Sequence, residues 1–187
     1  MSKRIPRLEM DQLDARLAAA LEPRIKRLGY LGEFFKCAGN LPEVCRLFLE
    51  LTEALKEALP DRITEVVALT VAGKTGNDYE RHQHERLSVK LGFSRDWIAA
   101  VSRLAPERAG PMSDAERAVQ TFALACLQRH GRDCSEEFER VVDLLGPQQA
   151  IGVVMLVGRY ATHAMTVNTL GLRPPVPSIF EEAHTAS

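Results

Sequence analysis

The sequence predicts an all-α protein. Apolar residues recur at helical spacing along nearly the whole chain, and no stretch alternates apolar and polar with the period of two that a half-buried strand requires. Proline and glycine fall mostly between the periodic runs rather than inside them. On this basis helices are expected over about 11–28, 31–38, 42–58, 61–75, 77–91, 94–104, 114–130, 135–145 and 147–169. Pro23 sits within the first and predicts a kink or two short helices. Pro42 and Pro60 suit helix starts, and Asn40 with Glu43 and Ser113 with Glu116 have capping-box spacing. Gly131, Gly146 and Gly171 suit helix ends. Leu172 to Ser187 holds Pro174, Pro175 and Pro177 before Ile179 and Phe180, the pattern of an extended arm with an apolar anchor that can pack on a neighbouring subunit.

A chain of 187 residues with 45% apolar content is long enough to bury a core. It reads as one domain over 1–187, with a core at about 31–170, an N-terminal helix and the proline-rich arm. The 24 basic and 25 acidic residues are interspersed and leave a net charge of −1, so nothing recommends nucleic acid or an anionic membrane as a partner. No apolar signal segment follows the charged N-terminus, and the run Ile151 to Val157 is too short to span a bilayer, which leads to the expectation of a cytoplasmic protein. Cys37, Cys45, Cys126 and Cys134 form no C-x-x-C and no zinc-type pairing, and read as scattered reduced thiols.

The segment Gly76 to His84, with Glu65 before it, stands out against this background. At roughly 100° per residue Asn77, Glu80 and His84 share one helix face, and Leu87 and Leu91 continue the stripe, so three polar groups head a seam expected to face inward. Burying a carboxyl and an imidazole costs several kcal/mol unless they bond each other or a ligand, which makes the trio a candidate site. Glu65 is the lone acid in the otherwise apolar run from Ile63 to Ala72, a helix that belongs inside a core or an oligomer. Asp78, Arg81 and His82 point off the stripe and are expected in solvent. Other readings of the same residues stay open: an exposed Glu80/His84 pair, or a two-carboxylate, one-histidine metal site formed with Glu65.

The segments Leu41-Pro42-Glu43, Asp61 to Glu65, Gly76 to Glu80 with His84, and Lys90 to Ser94 together resemble the carboxymuconolactone decarboxylase and alkylhydroperoxidase D family. Met112 to Arg117 and the apolar run Ile151 to Tyr160 extend the likeness. The resemblance implies an alkylhydroperoxidase D-like helical bundle assembled as homotrimers or homohexamers, with no metal and no cofactor called for. Where the peroxidase branch carries C-x-x-C, this chain has Asn77 and Glu80, so the dithiol that thiol peroxidase chemistry needs is absent. The chain is more similar to the decarboxylase side, and the implied activity is a cofactor-independent lyase acting on a small organic acid or lactone. In that chemistry His84 is the expected proton donor, Glu80 orients it, and Glu65 serves as a second acid. Asn77 supplies an amide donor to the substrate, Tyr79 and Tyr160 line the pocket, and Arg159 pairs with a substrate carboxylate or with a structural acid. The alternatives are a non-catalytic binder of small ligands, a peroxidase-related protein without the thiol mechanism, and a metal-dependent hydrolase.

Overall fold

α4 (Asp61–Thr75) is the axis of the molecule in a computed structural model that describes residues 4–181. Its apolar residues run all round the helix, so it is stable only when covered on every side. All ten residues from Ile63 through Ala72 are buried. The cover is α8 (Ser135–Leu170), α7 (Asp114–Arg129), α5 (Asp78–Lys90) and α6 (Arg95–Ser102), each packed against α4 within this one chain. The helix therefore needs no partner subunit to hide it.

α1 (Ala15–Leu28), α2 (Glu33–Ala38) and α3 (Pro42–Ala58) add a second apolar cluster built on Leu17, Leu21, Phe34, Phe35 and Leu49. Tyr79 of α5 and Val167 of α8 belong to this cluster, whereas Tyr160 of α8 belongs to the main one. The stretches 80–84 of α5 and 159–163 of α8 thus lie at the seam between two cores, where polar groups can be buried side by side.

Helix limits follow the local chemistry. Ser113 and Glu116 form the expected capping box on α7, and Pro42 opens α3 at its first turn. Asn40 does not cap α3: its amide donates to the carbonyls of Pro6 and Cys37, Leu41 is the capping residue, and Glu43 pairs with Arg46. The first helix starts later than expected, at Ala15, because Asp14 accepts from the N–H groups of Arg16 and Leu17 and fixes the cap there. Met10–Gln12 forms a separate 3-10 turn. Pro23 does not split α1. The cost of an interior proline is about 3 kcal/mol, which is offset by the complete burial of Leu17 and Leu21 on the same helix. Gly146, at φ 79° and ψ 164°, interrupts α8 between the two helices expected there. By length and composition alone α8 is apolar enough to cross a membrane, but Arg159, Tyr160 and His163 on it are buried inside the protein.

The described part of the C-terminal arm, 172–181, packs on its own chain. It folds back on α5, where Glu85 Oε2 accepts from Ser178 Oγ (2.6 Å) and from the Ile179 N–H (3.1 Å). Arg86 donates to the Pro177 carbonyl and Arg95 to that of Ile179. Ile179 enters the main core while Phe180 stays exposed. The end of the arm, 182–187, lies outside the described residues.

Candidate active site

Gly76, left-handed at φ 64°, ends α4 and lets the chain turn straight into α5, which brings Glu65 and His84 together across the helix pair. His84 Nδ1 donates to Glu65 Oε2 at 2.8 Å, and Ser88 Oγ donates to the same oxygen at 3.1 Å. The opposite ring nitrogen, Nε2, lies 3.2 Å from the Tyr160 hydroxyl and 3.6 Å from Glu80 Oε1. Arg159 Nη1 donates to Glu80 Oε1 at 3.3 Å, and its Nε donates to Thr52 Oγ1 at 2.8 Å. The guanidinium also lies over the rings of Phe48 and Tyr160. On the far side of Glu80 sits His163, with Nε2 3.7 Å from Oε2.

The electrostatics follow from this packing. Burial alone would raise the Glu80 carboxyl, but His163, His84 and Arg159 around it outweigh that and hold it well below the usual carboxylate range. Burial pushes His163 down to about 4, so near neutrality it carries no charge and Arg159 is the standing cation that keeps Glu80 ionised. His84 moves the other way: burial opposes its protonation, yet the Glu65 and Glu80 carboxylates prevail and raise it. Burial raises the Tyr160 phenol, which stays protonated.

His84, Glu80, Arg159 and Tyr160 form the floor of a cavity of ≈ 190 Å³. Such a space is of small-molecule size. Its wall and mouth carry Arg24, Arg27, Lys56, Arg86 and Lys90 with Thr52, Tyr30, Leu87 and Val176, and Glu80 is the acid among the lining residues. Six cations against one carboxylate, on a chain of net charge −1, make this a focused attractor for anions. Burial and the nearby Arg24 lower the Lys56 ammonium. Arg24 is held by Glu53 at 3.0 Å.

The structure brings Glu65, Glu80, His84 and Arg159 together and sets Asn77 and Tyr79 apart from the larger cavity. Asn77 caps α5: its Oδ1 accepts from the Glu80 N–H (3.2 Å), its amide nitrogen lies 3.4 Å from His163 Nδ1, and it does not line that cavity. Tyr79 accepts from the Phe34 N–H and lines only a narrow chamber behind Glu80. Arg159 pairs with a structural acid, Glu80, and also lines the cavity. Glu65 accepts from His84 and Ser88 and does not line the cavity, an arrangement for orienting the imidazole rather than for protonating a substrate directly. His82 was expected in solvent and is buried, because the C-terminal arm covers that side of α5 and His82 Nδ1 lies 3.1 Å from the Val176 carbonyl. Leu91, expected to continue the inward stripe, is 38% exposed, since it caps α5 where the chain turns away. Among the described residues no three of His, Cys, Asp and Glu are arranged to hold a metal ion.

His163 and Lys56 were not singled out as site residues from the sequence. For His163 a signal existed: with Arg159 it is an i, i+4 polar pair on an apolar helix, the pattern that marked Glu80 and His84. None of the four cysteines lines the cavity, all are free, and burial raises the Cys45 thiol to about 11.

Residues 42–130 match the family model described as the carboxymuconolactone decarboxylase family. That span holds Glu65, Glu80 and His84 and ends before Arg159, Tyr160 and His163. No curated protein sequence matches the chain. Among solved structures it is similar to the debrominase Bmp8 without ligand (16% identity, TM-score 0.80, 94% of each chain covered). It is equally similar to a cysteine-to-alanine variant of that debrominase in complex with 2,3,4-tribromopyrrole (15% identity, TM-score 0.79, 92% of each chain). An uncharacterized peroxidase-related protein from Ralstonia eutropha JMP134 with the alkylhydroperoxidase AhpD core aligns at 17% identity and TM-score 0.77 over 91% of each chain. Sequence match and fold agree: residues 42–130 match the carboxymuconolactone decarboxylase family model, and the whole chain has the AhpD-like, all-helical fold.

Proposed function

We propose that the protein is a cofactor-independent acid–base enzyme, a lyase of the decarboxylase type, acting on a small organic acid or lactone. One observation carries the reading: His84 is wedged between Glu65 and Tyr160 on the floor of a small cavity ringed by cations. The cations supply binding and orientation of an anionic substrate. Loss of carbon dioxide beside an unsaturated lactone moves the C–C bonding pair into a dienolate, which then takes a proton at carbon. His84, raised by its two carboxylates, is the donor, and Glu65 stabilises and orients the imidazolium. Tyr160, protonated and next to His84 Nε2, donates to an enolate oxygen. With Asn77 and Glu80 in place of a dithiol, and the cysteines away from the cavity, thiol peroxidation has no nucleophile here.

The same reading takes the active species to be a homotrimer or homohexamer. Leu41, Val44 and Leu47 beside α3 and on it, and Ile151, Met155 and Met165 on α8, are exposed apolar side chains of the kind that subunit contacts cover.

The test is a panel of small mono- and dicarboxylic acids and unsaturated lactone acids, scored for thermal stabilisation and for carbon dioxide release. A true ligand at a hundredfold its Kd adds about 2.7 kcal/mol of stability. Turnover should fall by about 10²-fold or more in His84→Gln. If no acid or lactone stabilises the protein, or if His84→Gln turns over at the wild-type rate, the reading fails.

A further inference from the structure

We propose that Asn77 and His163 form a positioning pair for Glu80: the Asn77 amide fixes His163 as the imidazole with its proton on Nε2, and that N–H steadies the carboxylate against the cavity. The inference rests on the acid–base reading of the site and adds two residues to it. Each atom in the chain of contacts is left with one role. Asn77 Oδ1 accepts from the Glu80 backbone N–H, which sets the orientation of the amide. Its Nδ2 therefore faces His163 Nδ1 at 3.4 Å, and an amide NH₂ only donates. His163 Nδ1 must then present its lone pair, and the single ring proton sits on Nε2, directed at Glu80 Oε2 3.7 Å away.

Packing holds the ring in this plane. Phe34 stacks on it with centroids 4.3 Å apart, and the Tyr79 ring lies at 6.0 Å. The two carboxylate oxygens of Glu80 are thus divided, Oε2 toward the back wall and Oε1 toward Arg159 and His84. The charged and titratable groups around His163 are Glu80, His84 and Tyr79 from α5, Arg159 from its own α8, and Arg24 from α1. Burial, reinforced by Arg159, His84 and Arg24 and opposed by Glu80, takes the ring down to about 4, so it keeps the neutral form across the neutral range. A cationic His163 would compete with His84 for the same carboxylate. The neutral tautomer steadies Glu80 without adding that charge.

Nitrogen NMR of the imidazoles in the full chain tests the assignment without a substrate. The wild type should show His163 as the neutral Nε2–H tautomer from pH 7 down to about 5. Asn77→Asp keeps the helix cap but replaces the donor by an acceptor, so His163 should take a proton on Nδ1 and titrate about one unit higher or more. His163 Nε2 then turns a lone pair toward Glu80, so the Nε2–H signal of the wild type should vanish, an effect that a merely structural Asn77 would not produce. Asn77→Ser keeps the cap and removes the donor, and should leave His163 a mixture of tautomers. An Nδ1–H tautomer in the wild type, or an Nε2–H tautomer retained in Asn77→Asp, overturns the proposal. Should Asn77→Asp not fold, the wild-type tautomer and Asn77→Ser decide it. The expected tautomer in a protein that binds none of the small acids would sink the acid–base reading and leave the positioning pair standing.

Discussion

Glu65 Oε2 lies 2.8 Å from His84 Nδ1, and both side chains are buried between α4 and α5. Glu65 is therefore the group that decides how readily His84 holds its proton. Replacing it with glutamine retains an oxygen acceptor for the imidazole but removes the negative charge that chiefly raises it. In Glu65→Gln the His84 titration should move down, and the buried amide left over should cost roughly 1–3 kcal/mol of stability. NMR titration and thermal unfolding of the same variant measure both. An unchanged His84 titration would mean that the carboxylate is not acting on the imidazole.

The two histidines on either side of Glu80 predict a stability maximum near pH 6.5. His84 is raised on folding, so its contribution is complete below the unfolded value of 6.5 and is lost as pH rises through its folded value. His163 is depressed from 6.5 to about 4, so its contribution is present above 6.5 and is lost as pH falls from there toward 4, on the order of 3 kcal/mol in all. Glu80, held well below 4.5, adds a further loss at still lower pH. Denaturant unfolding as a function of pH should show His163→Gln flattening the limb between pH 6.5 and 4 and His84→Gln flattening the alkaline limb. Stability that keeps rising above pH 8 in the wild type would contradict the direction assigned to His84.

The helices were legible in the sequence because apolar periodicity and proline–glycine punctuation are local signals. The site was legible only in part. Glu80 and His84 showed themselves as polar residues on an apolar stripe of α5, and Glu65 as one acid in an apolar run. What Glu80 faces, however, comes from α8, 79 residues away at Arg159, and sequence spacing says nothing of such a contact. His82 was misread for a related reason: the helical wheel placed it away from α4, and the cover on that side is supplied by an arm nearly a hundred residues later. Asn77 lay on the right stripe but at the capping position, where its side chain turns back to the backbone.

Arg159 and Glu80 are both buried, 3.3 Å apart, and their pairing separates a structural from a substrate role. Arg159→Met leaves the carboxylate without its guanidinium and should cost about 3–5 kcal/mol. Adding Glu80→Leu removes the stranded charge and should recover part of that loss, so the two effects are less than additive. Any ligand anion bound by Arg159 should remain weakly held in the double variant even though stability returns. A double variant that loses the sum of the single effects would show the two side chains to be independent.

The strap from Leu172 to Glu181 is held by Glu85, which is fully buried on α5. Its Oε2 accepts from Ser178 and Ile179, while Oε1 has no hydrogen bond and lies 3.8 Å from Arg81 Nη1. Val176 in the same strap forms part of the cavity wall, so the clasp on Glu85 also sets one side of the binding space. Glu85→Gln keeps an acceptor for both bonds and should retain the strap. Glu85→Ala removes it, and the Ile179 N–H should then exchange with solvent far faster while the strap becomes open to proteolysis. Truncation after Leu172 should destabilise the isolated chain, because Ile179 leaves the main core. Unchanged exchange at Ile179 in Glu85→Ala would show that the strap is held by Arg86, Arg95 and His82 alone, and that the buried carboxylate has another role.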